Sequence, residues 1–235
     1  MDWNKDLELR LTQLLQTCIA DDDLHSRLLN SVSLLEHCGA RKIGFYQRLG
    51  QNTTEVLRHA FEESRHAYFF RSQIRHLETA EPQGYTDQAL LAPLASRQYI
   101  RKLDVKVCRY LKEQGHFKDL KTGAAVAYGL TTLLIELRAG RVYQIYQREL
   151  KAADSPISVR SIIAEEERHL QETEQALQEH LGAFGLQEAR ASLSPEEESL
   201  FCNWLAAAER DVGVGQKNRA TQEGDPNIAF VHTYV

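Results

Sequence analysis

Two five-residue stretches, Glu62-Glu63-Ser64-Arg65-His66 and Glu165-Glu166-Glu167-Arg168-His169, share the pattern E-E-x-R-H. With 22 Glu, 19 Arg and 9 His among 235 residues, residue frequencies alone supply roughly 0.006 copies of that pattern per chain. Two independent copies then arise by accident on the order of once in tens of thousands of chains, so coincidence is a poor account of the repeat. Residues i and i+3 lie one turn apart on the same face of a helix. Glu63 with His66, and Glu166 with His169, can therefore each offer a carboxylate and an imidazole to one metal ion. Glu62 and Glu165 point about 100° away from that face and stand outside the direct ligands. They can steady the histidines by accepting the second ring N–H, or pair with Arg65 and Arg168; the sequence leaves both open.

Each pair needs further ligands, which neighbouring helices must bring. Glu36 lies 27 residues before Glu63, and Glu136 lies 30 before Glu166. Leu28, Val32, Leu35, Ile43 and Tyr46 share a face with Glu36 in a helix expected over about 24–49, opened by Asp21-Asp22-Asp23. A carboxylate in an apolar stripe is costly unless something pairs with it. Gly39, one turn further, admits a neighbour or a ligand. Gly50 is the expected stop, and Asn52 with Glu55 the cap of a helix over 53–77 that turns Val56, Ala60, Glu63, Ala67, Phe70 and Ile74 inward. His59, one turn before Glu63, could reach the edge of the same site.

Glu81-Pro82-Gln83-Gly84 breaks the chain, and 84–115 reads as a long crossover with a helix over 86–113 and no ligand spacing. A third ligand-bearing helix is expected over 122–151. Gly129, Thr132, Ala139 and Gly140 crowd small residues around Glu136, with Tyr143 two turns beyond it. Close helix packing would use such residues, and so would a substrate or dioxygen pocket walled by Gly129, Thr132, Gly140 and Tyr143. Ser155-Pro156 opens the fourth helix, which Gly182 stops; Ser194-Pro195-Glu196-Glu197 opens a last helix to about 210, with an extended tail beyond. A short helix over 4–20 precedes the set.

Four helices carrying Glu36, Glu63 with His66, Glu136, and Glu166 with His169 resemble the ferritin-like non-haem di-iron carboxylate proteins. That group includes rubrerythrins, multicomponent monooxygenases, acyl desaturases, aldehyde-deformylating oxygenases and tRNA hydroxylases. The resemblance covers residues 24–181 and implies an all-α fold: a ferritin-like four-helix bundle with a long helical crossover and extra terminal helices, in one domain spanning 1–235. Glu62, Arg65, Glu165 and Arg168 match the outer-shell pattern of oxygen-activating members. The implied function is a di-iron oxidoreductase that uses dioxygen to hydroxylate, desaturate or cleave a small organic, apolar substrate, fed by an external electron donor. Four carboxylates and two imidazoles suit two iron ions, with manganese or a mixed pair as the alternative. Ferroxidase or iron-storage activity and rubrerythrin-like peroxide reduction are rival readings, and a non-catalytic helical interaction protein is a third. Histidines on both E-x-x-H helices argue against storage, and the missing cysteine pairs against peroxide reduction.

Bulk composition agrees with this class. A net charge of −5, with 26% charged residues, argues against nucleic acid as a partner. No apolar run approaches the length of a membrane span, and MDWNKDLELR lacks a signal-peptide core, so a cytoplasmic protein is expected. Cys18, Cys38, Cys108 and Cys202 form no C-x-x-C, which excludes a zinc ribbon or a rubredoxin-type site. A homodimer is compatible with the pattern.

Overall fold

A computed structural model describes residues 5–47, 53–116 and 119–223. Among these the chain is all-helical, 86% helix with no strand. The elements are α1 (Lys5–Ile19), α2 (Asp22–Gln47), α3 (Thr54–Gln73) with a 3-10 turn (Ile74–His76), α4 (Pro93–Glu113), α5 (Leu120–Ala152) and α6 (Arg160–Glu223).

Local chemistry sets most boundaries. The Asp21 carboxylate accepts from the Leu24 N–H at 3.0 Å and caps α2. Thr53 caps α3 through the Val56 N–H at 3.3 Å, whereas the expected Gly50 stop and Asn52 cap lie outside the described residues. Asp119 caps α5 through the Lys121 and Thr122 amides. The starts of the crossover helix and of the fourth helix differ from expectation. The crossover helix starts at Pro93, after Ala92 in the left-handed region (φ 45°), because proline at the first helical position needs no N–H partner. The fourth helix starts at Arg160 and not at Ser155-Pro156, because Gln147 of α5 reaches across to accept from the Val159 N–H at 2.7 Å.

α6 is broken at Gly182 (φ 70°, ψ 163°), as the sequence predicts for the end of its first segment. Arg190 reaches Glu174 at 2.6 Å. Sixteen residues of unbroken helix would hold them about 24 Å apart, so the segment 183–223 folds back along 160–181. The expected start at Ser194-Pro195 is wrong: the helix runs through Pro195. A proline there forfeits one backbone hydrogen bond, while Leu193, Phe201, Trp204 and Leu205 bury the segment on either side of it. The expected extended tail is also helical as far as Glu223, and 224–235 lie outside the described residues.

Four helices are ordered by specific contacts. The Ser33 hydroxyl donates to the Ala67 carbonyl at 2.6 Å, pairing α2 with α3. Tyr46 stacks on Tyr128 at 4.5 Å between ring centroids and the Tyr143 hydroxyl donates to Glu36, pairing α2 with α5. Ring and carboxylate contacts from Arg58–Glu172 to His66–Glu165 pair α3 with the first segment of α6. In each pair one residue number rises as its partner's falls, so partners are antiparallel, and α3 and α5 run in the same sense. The 77–119 segment carries the chain back between them. α1 and the second segment of α6 cover the outer face of α2 and α5, tied by a bidentate Arg10–Glu209 pair. An apolar core of Leu11, Leu28, Phe70, Tyr143, Ile145 and Leu205 closes one end, and Leu103, Val107, Leu130, Leu177, Leu186 and Leu193 the other.

Candidate metal centre

Glu36 projects from α2, Glu63 and His66 from α3, Glu136 from α5, and Glu166 and His169 from the first segment of α6. All six are buried. Joined by His59 of α3, they fall into two groups whose ligand atoms lie within 4.8 Å of one another and could hold metal ions: Glu36, Glu63, His66 and Glu166; and His59, Glu136 and His169. Glu166 presents one oxygen to each group, with Oε1 2.8 Å from His66 Nδ1 and Oε2 3.8 Å from His169 Nδ1. Glu63 Oε1 lies 3.2 Å from His59 Nε2 and 3.7 Å from His169 Nδ1.

The outward faces of the histidines are held crosswise. His66 Nε2 meets Glu165 at 3.0 Å, and Glu165 also accepts from Arg65. His169 Nε2 meets Glu62 at 2.8 Å, and Glu62 accepts from Arg168 at 2.7 Å. Each copy of the motif therefore supplies the histidine and arginine that the other copy's first glutamate binds. With Nε2–H donated outward, each Nδ1 keeps its lone pair for the interior. Those inward atoms are the ones left over. His169 Nδ1 and both oxygens of Glu136 are buried and make no hydrogen bond, and His66 Nδ1 and Glu166 Oε1 face each other at 2.8 Å with no other partner. A buried polar atom without a partner costs about 1–3 kcal/mol, and here three converge beside the His66–Glu166 pair.

Electrostatics point the same way. Burial, then the charges of Glu36, Glu166 and Glu136, push the Glu63 carboxyl well above its usual range. Burial and Glu166 do the same to Glu136. Burial also opposes charge on His66, yet the apposed Glu166 and Glu36 carboxylates push it up to about 11. Glu166 resists its own burial and is held at about 2 by His169 and His66. A divalent cation would relieve the carboxylate repulsion and take the place of the proton on His66.

His59 is more than an edge residue. Its Nε2 lies 3.5 Å from Glu136 Oε1, its ring sits 4.3 Å from that of His169 at a 47° tilt, and its Nδ1 lies 3.0 Å from the Tyr128 hydroxyl. Burial, then His169, lower it to about 3, so it is a neutral imidazole. In the tautomer that donates Nδ1–H to Tyr128, Nε2 is free to bind a metal. The i−4 spacing to Glu63 was the available signal; Tyr128 comes from α5 and left none in the local sequence.

The expected pocket residues divide. A cavity of about 120 Å³ abuts the carboxylates, and Thr132 and Tyr143 line it, while Gly129 and Gly140 do not. Gly129 instead admits Leu177, whose Cδ2 would lie 2.8 Å from an added Cβ; at Gly140 an added Cβ meets nothing within 4 Å. Gly39 makes room for a ligand, since a Cβ there would lie 2.6 Å from Glu63 Oε2. No protein-family model matches the chain, and neither the curated proteins nor the solved structures include a significant match.

Proposed function

We propose that this chain is a ferritin-like bundle holding two metal ions, iron first among them, and that it uses them with dioxygen to oxidise an organic substrate. The observation that carries the reading is the convergence of inward ring nitrogens and carboxylate oxygens, three of them without a hydrogen bond, inside a ring of satisfied outward ones. Glu36, Glu63, His66 and Glu166 would hold one ion, and His59, Glu136 and His169 the other. The α3/α5 parallel sense and the intervening crossover support the bundle assignment.

Iron in such an oxygen-and-nitrogen set supplies redox chemistry with dioxygen. For a hydroxylation, one oxygen atom would enter a substrate C–H bond and the other leave as water, with two electrons and two protons from an external donor. The protein's own part is positional. Glu62 and Glu165 fix the rings of His169 and His66. Tyr143, kept neutral by burial and by Glu36, donates to Glu36 and sets its direction. The Tyr128 hydroxyl accepts from His59 Nδ1–H and sets the direction of that ring.

The test is elemental analysis of protein expressed in iron-rich medium, followed by anaerobic ferrous titration of the apo-protein and exposure to dioxygen. About two ions per chain and oxygen uptake by the loaded protein are expected. His59→Ala should lower the occupancy of one subsite and leave the other. A metal content near zero, with no uptake by the apo-protein, would sink the proposal.

A further inference from the structure

The cavity beside the carboxylates is apolar over most of its wall. Leu11 and Leu15 of α1, Val32 and Leu35 of α2, and Phe201 and Trp204 of α6 contribute to it. Its wall residues on α2 run from Leu28 to Ile43, fifteen positions, or about 22 Å of helix. On the antiparallel α5 they run from Tyr128 to Tyr146, eighteen positions, or about 27 Å. Glu36 and Glu136 lie near the middle of these two runs. The wall is therefore elongated along the helix axes, with the proposed metal ligands near its middle.

Charge selects further among ligands. Apart from the proposed metal ligands, the cations in the wall are Lys42 and Arg138. Lys42 is bonded to Asp104 of α4. Arg138 is bound by both oxygens of Glu197, at 2.9 and 2.6 Å, deep in the protein. Both charges are matched already. An entering carboxylate or phosphate would meet no unmatched cationic side chain in the wall, and two divalent ions would balance the four glutamates without surplus.

We infer that the cavity takes the alkyl chain of an uncharged, unbranched substrate and lays it past the proposed metal ligands. This rests on the proposed metal centre for its chemistry, but chain binding can be read without that chemistry.

Trp204 is in the wall, and Trp3 is the chain's other tryptophan. In a Trp3→Phe protein, decanol brominated at its far end should quench Trp204 fluorescence saturably. The correspondingly brominated decanoate should bind at least ten-fold more weakly. Ala139→Phe, or Val32→Phe should the first fail to fold, should weaken decanol binding at least ten-fold with metal content unchanged. Asp104→Asn, which releases Lys42, should narrow the alcohol-over-carboxylate preference several-fold. Absence of saturable quenching, equal or tighter binding of decanoate, or indifference to both filling variants would overturn the inference. Metal analysis of the same samples reads the other proposal separately. Chain binding without metal overturns the oxidation reading alone, and metal without chain binding overturns this one alone.

Discussion

At the scale of single residues the site separates groups that would touch metal from groups that aim them. Glu63 and Glu62 are adjacent in sequence, yet Glu63 faces the buried interior and Glu62 grips His169 from outside. Glu63→Ala should abolish binding at its subsite. Glu62→Ala should weaken metal affinity by about 10- to 100-fold and leave the stoichiometry intact at saturating metal. Competition titration against a chromophoric chelator distinguishes them, and equal losses would show that the two faces are misassigned. A second residue acts on stability alone. His25 is buried against the Tyr146 hydroxyl at 2.5 Å, and burial lowers it from 6.5 to about 4. Above the unfolded pKa both states are neutral and nothing is lost. As pH falls from 6.5 towards 4 the unfolded imidazole takes a proton that the folded one refuses, so stability falls, by about 2 kcal/mol at pH 5. His25→Gln should reduce the stability difference between pH 7 and pH 5 by about that amount in urea melts; an unchanged acid sensitivity would refute the assignment.

At the scale of elements, three glycines in helix interiors serve three different ends. Gly39 lets α2 approach α3 closely enough for the Glu63 carboxylate to lie against its backbone. Gly39→Ala should leave helicity unchanged in circular dichroism and lower metal affinity, because the new methyl displaces a ligand. Gly140 faces open space, so Gly140→Ala should stabilise the protein by about 0.5–1 kcal/mol through helix propensity and a less flexible unfolded chain. Gly129→Ala should instead cost about 1–3 kcal/mol, since Leu177 is buried where the methyl must go. Chemical denaturation of the two variants side by side checks the contrast. If Gly140→Ala destabilises and Gly129→Ala does not, the packing of α5 against α6 is misread.

For the whole molecule, the proposed metal centre is a joint between helices that are otherwise distant in sequence. Four carboxylates meet there, drawn from α2, α3, α5 and α6, and burial with mutual repulsion pushes Glu63 and Glu136 up. Ions that bind the folded state alone stabilise it by about 2.7 kcal/mol per site at one hundred times the dissociation constant. Removing metal with a chelator should therefore lower the melting temperature, and adding ferrous or manganous ion back should restore it in a concentration-dependent way. Identical melting curves with and without metal would contradict the site. Among the described residues no helix is long and apolar enough to cross a membrane.

The E-x-x-H spacing by itself determined which carboxylate and which imidazole share each helix face, because helical period follows from backbone geometry whatever the surroundings. Inward Glu36 and Glu136 were legible for a related reason: a charge inside an apolar stripe needs a partner. The break at Gly182 was legible because a positive φ favours glycine. Pairing between copies was not. The choice of Glu165 for His66 and Glu62 for His169 depends on how α3 and α6 are set against each other, and periodicity within one helix carries no information about the neighbour's register. His59 joined the site for the same reason, once Glu136 and Tyr128 of α5 came within reach. Thr132 and Ala139 of α5 line the cavity while Gly129 and Gly140 do not, a division the sequence left open because composition cannot say whether a gap is filled. Leu177 fills one, and the cavity opens instead where α1, α2, α5 and the returning segment of α6 fail to close around Glu36.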